Sequence, residues 1–473
     1  MHKIINKSLA GKKVHFVGVG GVSMSALAAM FLESGGKVTG SDIKNSQRIS
    51  QLRDMGCKIS INHSEKNIED QDLLVYSSAI PEDNIELKSA QKHDIPVVTR
   101  AEFLASLIKN KRVVAISGTH GKTSTTAMIT EIFMQAQMNP SVMLGGEMRA
   151  ITGNYRQGEG ELFIIEADES DGSLVNYDPW LGVVTNLEAE HLNYYQTELQ
   201  LIETMKEFLT KVKDDGYIVL CADDPMIKAY LLPFARTELD CDVISYGINS
   251  GDYTADKIKN NGYVESYNVN VENEDKYKIS INSPGRHNVL NSLAALSSAR
   301  AAGIDWTCIQ KSLRDYKGVK RRFEKKGSCK NIEVVDDYAH HPTEIYATYQ
   351  TAVKTGFNRV LTVFQPHRYT RTEALWDEFL DKLYQIKHLL ICDIYPANQE
   401  PIPGITSRRL AEELKYMREN QVGWIKYAGE PERAKELLLS EVREGDLVLT
   451  MGAGNVNKIG EDLLADLRSK NSG

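Results

Sequence analysis

The sequence predicts an α/β chain of three domains. Short apolar, β-branched runs alternate with helical stretches from one end to the other, which is the pattern of parallel sheets covered by helices. The chain has 473 residues, too many for one ordinary core, so about three domains is the natural expectation. Glycine-rich or polar clusters also follow the apolar runs, at the sheet edge where open parallel sheets bind ligands.

Composition narrows the function class. The chain is 42% hydrophobic and 25% charged, as expected of a soluble globular protein. Its net charge of -8 and lack of a basic arm argue against a nucleic-acid partner. The N-terminal stretch MHKIINKSLAGKKVHF has no apolar signal-peptide core, and no run is long enough to span a bilayer. A cytoplasmic protein without a membrane partner is therefore expected, as a monomer or a homodimer. Cys57, Cys221, Cys241, Cys308, Cys329 and Cys392 form no C-x-x-C pair, so they read as reduced thiols packed like small apolar residues.

The first domain, residues 1–110, opens with a strand, Val14 to Val19, then Gly18-Val19-Gly20-Gly21 and a helix of small apolar residues. This approaches the dinucleotide fingerprint G-x-G-x-x-G, with serine at position 23. The second strand, KVTGSD, ends at Asp42, about where such units place a ribose-binding acid. The domain reads as Rossmann-like, and NAD, a nucleotide-sugar or no ligand all fit the fingerprint. Further strands are expected at KISI, DLLVYSSAI and IPVVTR. Ser77, Ser78 and Arg100 fall at strand ends, where they either meet a ligand or cap structure.

The second domain, residues 111–318, begins with VVAISGTHGKTSTT, Val113 to Thr126. An apolar strand breaks into Gly118-Thr119-His120-Gly121-Lys122-Thr123 and a helix follows. This layout cradles phosphate. Glycines let backbone N–H groups approach the oxygens, the helix N-terminus adds positive potential, lysine reaches the outer phosphates, and a threonine hydroxyl can bind Mg²⁺. Gly118 and Gly121 enclose two residues where the common phosphate loop has four, so the loop is a short variant.

The strand ELFIIE carries Glu166 at its end, with Asp168, Glu169 and Asp171 behind it, a reasonable source of a Mg²⁺ ligand. Another strand ends at Asn186, with His191 beyond. Lys206, on the next helix, reads as a solvated face residue. Residues 245–283 are polar, tyrosine-rich and alternating, which predicts antiparallel hairpins appended to a parallel sheet. Asn288 and Asn291 lie at the start of the following helix, where they either hydrogen-bond an adenine edge or cap the helix.

The third domain, residues 319–473, follows a basic, linker-like run, KGVKRRFEKKG, that contains Arg321 and Arg322. It repeats the Rossmann-like alternation. Three strand ends carry dense polar clusters: Asp336-Asp337-Tyr338-Ala339-His340-His341, Gln365-Pro366-His367-Arg368-Tyr369-Thr370-Arg371, and Gly452-Ala453-Gly454-Asn455. Two arginines and a histidine after a buried strand suit a carboxylate-bearing ligand.

In order along the chain, GVGGVSMSALA, SSAI, GTHGKTSTT, EADESD, NLEAEHL, GRHNVLN, RRFE, DDYAHHPTE, FQPHRYTRT and GAGN resemble the motifs of the Mur ligase family. These are the ATP-dependent, amide-forming ligases of bacterial cell-wall peptidoglycan synthesis. GVGGVSMSALA, DDYAHHPTE and FQPHRYTRT resemble the member that joins L-alanine to UDP-N-acetylmuramate. The resemblance implies that the sugar's lactyl carboxylate takes the γ-phosphoryl group of ATP, and that the amine of alanine then displaces phosphate from the acyl phosphate.

By motif, Gly118, Thr119, His120, Gly121, Lys122 and Thr123 would cradle ATP, with Asn288 and Asn291 at adenine. Arg322 and Asp337 would reach phosphates and ribose. Thr123 with Glu166 would hold one Mg²⁺, and His191 would hold the second. Tyr338, His340, His367, Arg368 and Arg371 would form the alanine pocket and steady the acyl phosphate. Of these groups, Lys122, His191, His340, His367 and Arg371 would be catalytic. Gly18, Gly20, Gly21, Asp42, His63, Ser77, Ser78 and Arg100 would hold the UDP-sugar. Some relatives carry a carbamylated lysine on the helix that bears Lys206 here, and this subfamily is expected to do without it. Three competing readings are a ligase that attaches a preformed peptide to the same sugar, an NAD-dependent dehydrogenase using GVGGVS, and a nucleotide-regulated binding module.

Overall fold

The computed structural model describes residues 11–77, 79–151, 153–170, 172–188, 195, 197–272, 275–418 and 422–469. It is an α/β protein with three sheets. Contacts gather into two compact units. The first holds residues 1–255, 269–277 and 290–312, and the second holds 256–268, 278–289 and 313–473.

Two sheets lie in the first unit. The N-terminal one contains β1 (Lys13–Val17), β2 (Lys37–Asp42), β3 (Lys58–Ile61), β4 (Leu73–Tyr76) and β5 (Val97–Thr99) in the order β3-β2-β1-β4-β5. Every pairing is parallel. Strand order reverses beside β1, which opens the crevice in which doubly wound sheets bind nucleotides. β1 stops at Val17, two residues before the expected end, because Gly18 turns the chain at φ +76°. Phe16, Phe31 and Phe103 lock sheet to helices, with ring centroids 5.3–6.4 Å apart.

The central sheet uses β6 (Arg112–Ser117), β7 (Ser141–Met148), β8 (Gly153–Arg156), β9 (Leu162–Glu166), β10 (Pro179–Val184), β11 (Tyr217–Cys221) and β12 (Asp242–Gly247) in the order β12-β11-β10-β6-β9-β7-β8. β7 and β8 are antiparallel and the other pairings are parallel. β6, β9 and β10 are almost wholly buried apolar runs, as strands covered on both faces must be. The expected hairpins form as β13 (Tyr253–Asn261), β14 (Val264–Val271) and β15 (Tyr277–Ile281). A two-residue connection joins β13 to β14, with Gly262 at φ +74°, and such a short link requires antiparallel strands.

The second unit holds the C-terminal sheet: β16 (Glu324–Cys329), β17 (Ile332–Asp337), β18 (Arg359–Phe364), β19 (His388–Cys392), β20 (Trp424–Gly429) and β21 (Asp446–Met451), in the order β16-β17-β21-β18-β19-β20. The run KGVKRRFEKKG is more than a linker. Its second half opens β16, paired antiparallel with β17, where Lys325 pairs with Glu333 and Lys326 with Glu461 at 2.8 Å. The remaining pairings are parallel. Two apolar clusters cover the sheet's faces, one around Val335, Phe364 and Leu449, the other around Val334, Val363 and Val448. Successive strand residues point to opposite faces, and these neighbours divide between the clusters as that alternation demands. The six cysteines are free thiols.

Candidate active site

β6 delivers the glycine loop at the middle of the central sheet. Gly118 sits at φ +121° and Gly121 at φ +81°. A Cβ on Gly118 would lie 2.3 Å from Thr185 Oγ1, and one on Gly121 would lie 2.4 Å from Asn291 Oδ1. Backbone conformation and space therefore both demand glycine. The end of β10 braces the loop. The Asn186 side chain accepts from His120 N–H at 2.8 Å and donates to His120 O at 2.9 Å, while Thr185 Oγ1 donates to the same carbonyl at 2.6 Å. His120 Nε2 lies 3.2 Å from Glu188. Helix Lys122–Gln135 starts directly after, with Gly121 as an N-cap that offers no side chain. Its first N–H groups thus face the loop, the arrangement that binds phosphate.

Three acids converge on this helix start. Thr123 Oγ1 lies 3.0 Å from both carboxylate oxygens of Glu166, and Gly145 N–H donates to Glu166 at 2.8 Å. The Lys122 ammonium lies 2.9 and 2.8 Å from the two Glu169 oxygens and donates to Gly118 O and Thr119 O. Burial alone would push Lys122 down, but Glu169, Asp168 and Glu166 hold it above the usual lysine range. Lys206 is elsewhere. It pairs with Glu203 on its own helix at 2.9 Å and covers Phe234, as a surface lysine does.

In the N-terminal sheet, Gly18 N–H and Val19 N–H both donate to Ser41 O, and Gly20 N–H donates to Asp42 Oδ2 at 2.9 Å. A Cβ on Gly20 would come within 2.9 Å of that oxygen. Asp42 thus braces the glycine turn, and Ser77 Oγ lies on its other side, 3.9 Å from where a Gly18 Cβ would be. Arg100 opens helix Arg100–Ile108 behind a Thr99–Glu102 capping box.

His63 joins a buried network that no local sequence pattern announced. Its Nδ1 lies 2.9 Å from Ser41 Oγ and 3.1 Å from Glu86 Oε2, and Glu86 is fully buried. Glu86 also accepts from Ser41 Oγ and Asn67 Nδ2, and His15 lies 3.6 Å away. Burial pushes the Glu86 carboxyl up, but His15, Ser41 and Asn67 outweigh it and hold the group down at about 2.

In the second unit the strand order places β17, β21 and β18 side by side, so the three polar clusters meet at one sheet edge. Gln365 Nε2 donates to Asn455 Oδ1 at 3.0 Å, and Arg321 reaches both Asp336 (3.1 Å) and Gly452 O (2.5 Å). Arg321 is thus an internal strut. Both it and Arg322 lie over the Tyr338 ring. The two Asp337 oxygens accept Phe323 N–H and Ala339 N–H at 2.7 Å, and burial pushes this carboxyl up to about 6 despite Arg322 nearby. Asn288 donates to Pro284 O.

His367 stacks on Tyr395 at 5.6 Å, stands 6.0 Å from the His340 ring, and has Arg371 Nη1 3.3 Å from its Nδ1. Burial, then His340, Arg371 and Arg368, push His367 down to about 3, so it is neutral near pH 7. His340 Nδ1 lies 3.0 Å from Tyr338 O and 3.6 Å from Glu344. Arg368 is held at φ +70°, its N–H bonded to Tyr395 O. This non-glycine residue in the left-handed region faces the same cluster. Tyr395 enters from the segment after β19, the strand next to β18, and nothing in its local sequence pointed to it. Ser78 and His191 lie outside the described residues.

Family models match the chain in three consecutive blocks: "Mur ligase family, catalytic domain" over residues 13–112, "Mur ligase middle domain" over 116–299, and "Mur ligase, glutamate ligase domain" over 321–454. The UDP-N-acetylmuramate--L-alanine ligase of Geotalea daltonii is 40% identical over 458 residues, covering 97% of this chain and 98% of the relative. The ligase of the same description from Clostridium acetobutylicum is 40% identical, covering 97% and 99%. Among solved structures, the UDP-N-acetylmuramate-alanine ligase of Thermotoga maritima superposes with a TM-score of 0.82 at 27% identity, over 97% of this chain and 100% of that one. A murein peptide ligase from Psychrobacter arcticus shares the fold, with a TM-score of 0.69 at 22% identity over 97% and 99%.

Proposed function

Because the chain belongs to the Mur ligase family, we propose that it joins L-alanine to the lactyl carboxylate of UDP-N-acetylmuramate, with ATP as the phosphoryl donor. The observation that carries the chemistry is the glycine loop, which aims backbone N–H groups, the Lys122 ammonium and the Thr123–Glu166 oxygens at one helix start. The choice of substrates rests on the full-length relation to ligases of that description. The peptide-attaching alternative is not favoured, since two solved ligases described as acting with peptides are more distant than the alanine ligase in both TM-score and identity.

In this reading a carboxylate oxygen of the sugar attacks the γ-phosphorus, ADP leaves, and an acyl phosphate forms. The alanine nitrogen attacks the acyl carbon, and the tetrahedral adduct expels phosphate to leave an amide. Negative charge accumulates at the phosphoryl group, so cations placed in advance are what accelerate the step. Lys122 supplies one. The oxygen-rich Thr123–Glu166 pair suits one Mg²⁺, a second is assigned to His191 by motif, and bound there the ions would neutralise phosphate charge. Residues 1–110 are assigned to the UDP-sugar, through Gly18, Gly20, Gly21, Asp42, His63, Ser77, Ser78 and Arg100. Residues 111–318 are assigned to ATP, and residues 319–473 to alanine.

Asn288 and Asn291 stay assigned to adenine, and Arg322 and Asp337 to phosphates and ribose, on their motifs. Arg368 and Arg371 match the alanine carboxylate. A histidine titrating at about 3 is too weak a base to hold the proton of an alkylammonium, so His367 orients the pocket. The amine proton is assigned to His340, which Tyr338 O and Glu344 orient.

The test is phosphate release by purified protein with UDP-N-acetylmuramate, ATP, Mg²⁺ and L-alanine. Release should require all four, and alanine-independent or absent release sinks the reading.

A further inference from the structure

The lysine on which the proposed phosphoryl transfer depends is already fully engaged. Its ammonium meets both oxygens of Glu169, at 2.9 and 2.8 Å, and the carbonyls of Gly118 (2.7 Å) and Thr119 (3.1 Å). An ammonium has three N–H donors, and these contacts consume them. The carbonyl contacts fold the side chain back over its own loop. Glu169 itself is only 1% exposed. Its backbone is tied down, with Tyr195 OH and Gly172 N–H both donating to Glu169 O. A fixed segment therefore delivers this carboxylate to the loop.

We propose that Glu169 is an internal competitor for the phosphate subsite: its carboxylate parks the Lys122 ammonium until nucleotide phosphates displace it. The inference rests on the nucleotide reading above and deepens it. A buried cation needs a counter-charge, and before nucleotide arrives Glu169 is that charge. A triphosphate brings several negative charges to the same helix start, where Glu166 and Asp168 already stand. Phosphates and the Glu169 carboxylate repel each other across one ammonium, so they cannot both hold it. Binding thus proceeds by exchange of one anion for another. The apparent affinity for nucleotide is lowered by the stability of the parked pair, as for any protein whose binding-competent state is a minor one. The exchange keeps Lys122 charged and solvent-shielded in the absence of nucleotide.

Glu169→Gln keeps the shape and removes the charge. Two quantities are measured on the full chain: the melting temperature without nucleotide, and the Kd for a non-hydrolysable ATP analogue with Mg²⁺. The competitor role requires them to move in opposite senses. The melting temperature falls because Lys122 loses its partner, while the analogue binds at least 5-fold tighter. A merely structural role lowers both stability and affinity. In a Lys122→Ala background, Glu169→Gln should produce no tightening, which assigns the effect to this pair. Glu169→Asp, one methylene shorter, should fold and tighten binding at least 2-fold, and it serves if the Gln variant does not fold. Unchanged or weaker binding in the folded variants overturns the proposal. Absence of analogue binding by the parent protein overturns the nucleotide reading instead.

Discussion

Burial disfavours charge on both Lys122 and His367, and their neighbours decide opposite outcomes. Lys122 keeps its charge because three carboxylates surround it, so it serves as a fixed cation. Lys122→Ala should cut turnover about 10²–10³-fold or more, the usual size for losing one group that stabilises transition-state charge. UDP-N-acetylmuramate binding, measured by calorimetry, should stay within a few-fold of the parent. Joint loss of both would contradict the assignment of the sugar to the first sheet. His367 loses its charge because two arginines and a second histidine share its partly buried surroundings. A histidine depressed from 6.5 to about 3 binds fewer protons folded than unfolded. Its share of stability is therefore complete above the unfolded value and is lost as pH falls below about 6.5 toward 3. Relative to the parent, His367→Gln should gain about 1–2 kcal/mol in unfolding free energy at pH 4.5 compared with pH 7, after discounting for partial exposure. Denaturant titrations of both proteins at the two pH values check this, and an equal difference at both would refute the depressed value.

At the level of elements, both glycine turns follow one rule. A parallel strand ends, a glycine takes a left-handed conformation, and a side chain from a neighbouring element fills the space a Cβ would need. For Gly121 that neighbour is Asn291 and for Gly18 it is Ile80, while Asp42 fills the space beside Gly20. Gly121→Ala combines a left-handed backbone cost of about 1–2 kcal/mol with a steric conflict. It should lower the melting temperature by a few degrees and abolish nucleotide binding at millimolar ATP. Gly20 has ordinary φ, so Gly20→Ala should fold. It must push Asp42 aside, and the KM for UDP-N-acetylmuramate should rise tenfold or more with the KM for ATP within about 2-fold. Equal changes in both would mean that the N-terminal turn does not act on the sugar alone.

For the molecule as a whole, the reaction requires the nucleotide-sugar, the phosphoryl donor and the amino acid together, and that requirement separates the ligase from its rivals. A dehydrogenase would use the first sheet for NAD, and it leaves the glycine loop before Lys122 and the polar edge of the C-terminal sheet without a task. Titration with NADH, followed by nicotinamide fluorescence, should give no saturable binding below millimolar concentration. Saturable binding that UDP-N-acetylmuramate fails to displace would favour the dehydrogenase. A binding module without catalysis would need neither the Lys122–Glu166 arrangement nor the arginine-rich edge of the C-terminal sheet.

By itself the sequence determined the α/β class, the hairpins after residue 245, and the phosphate loop, because periodicity and glycine placement are local signals. It also placed Asp337, His340, His367, Arg368 and Arg371 at or just after strand ends, because strand ends are visible as apolar runs that stop. It misread residues 324–327 as part of a linker, since an edge strand rich in lysine has a solvated run's composition. Only the tertiary structure decided that β17, β21 and β18 are neighbours, which turns three separate clusters into one. Only it revealed Glu86 beside Ser41 and His63, Tyr395 beneath His367, and Glu169 on Lys122. Each of these partners comes from an element distant in the chain. Strand order and burial choose them, and neither leaves a mark on the residues next to them in sequence.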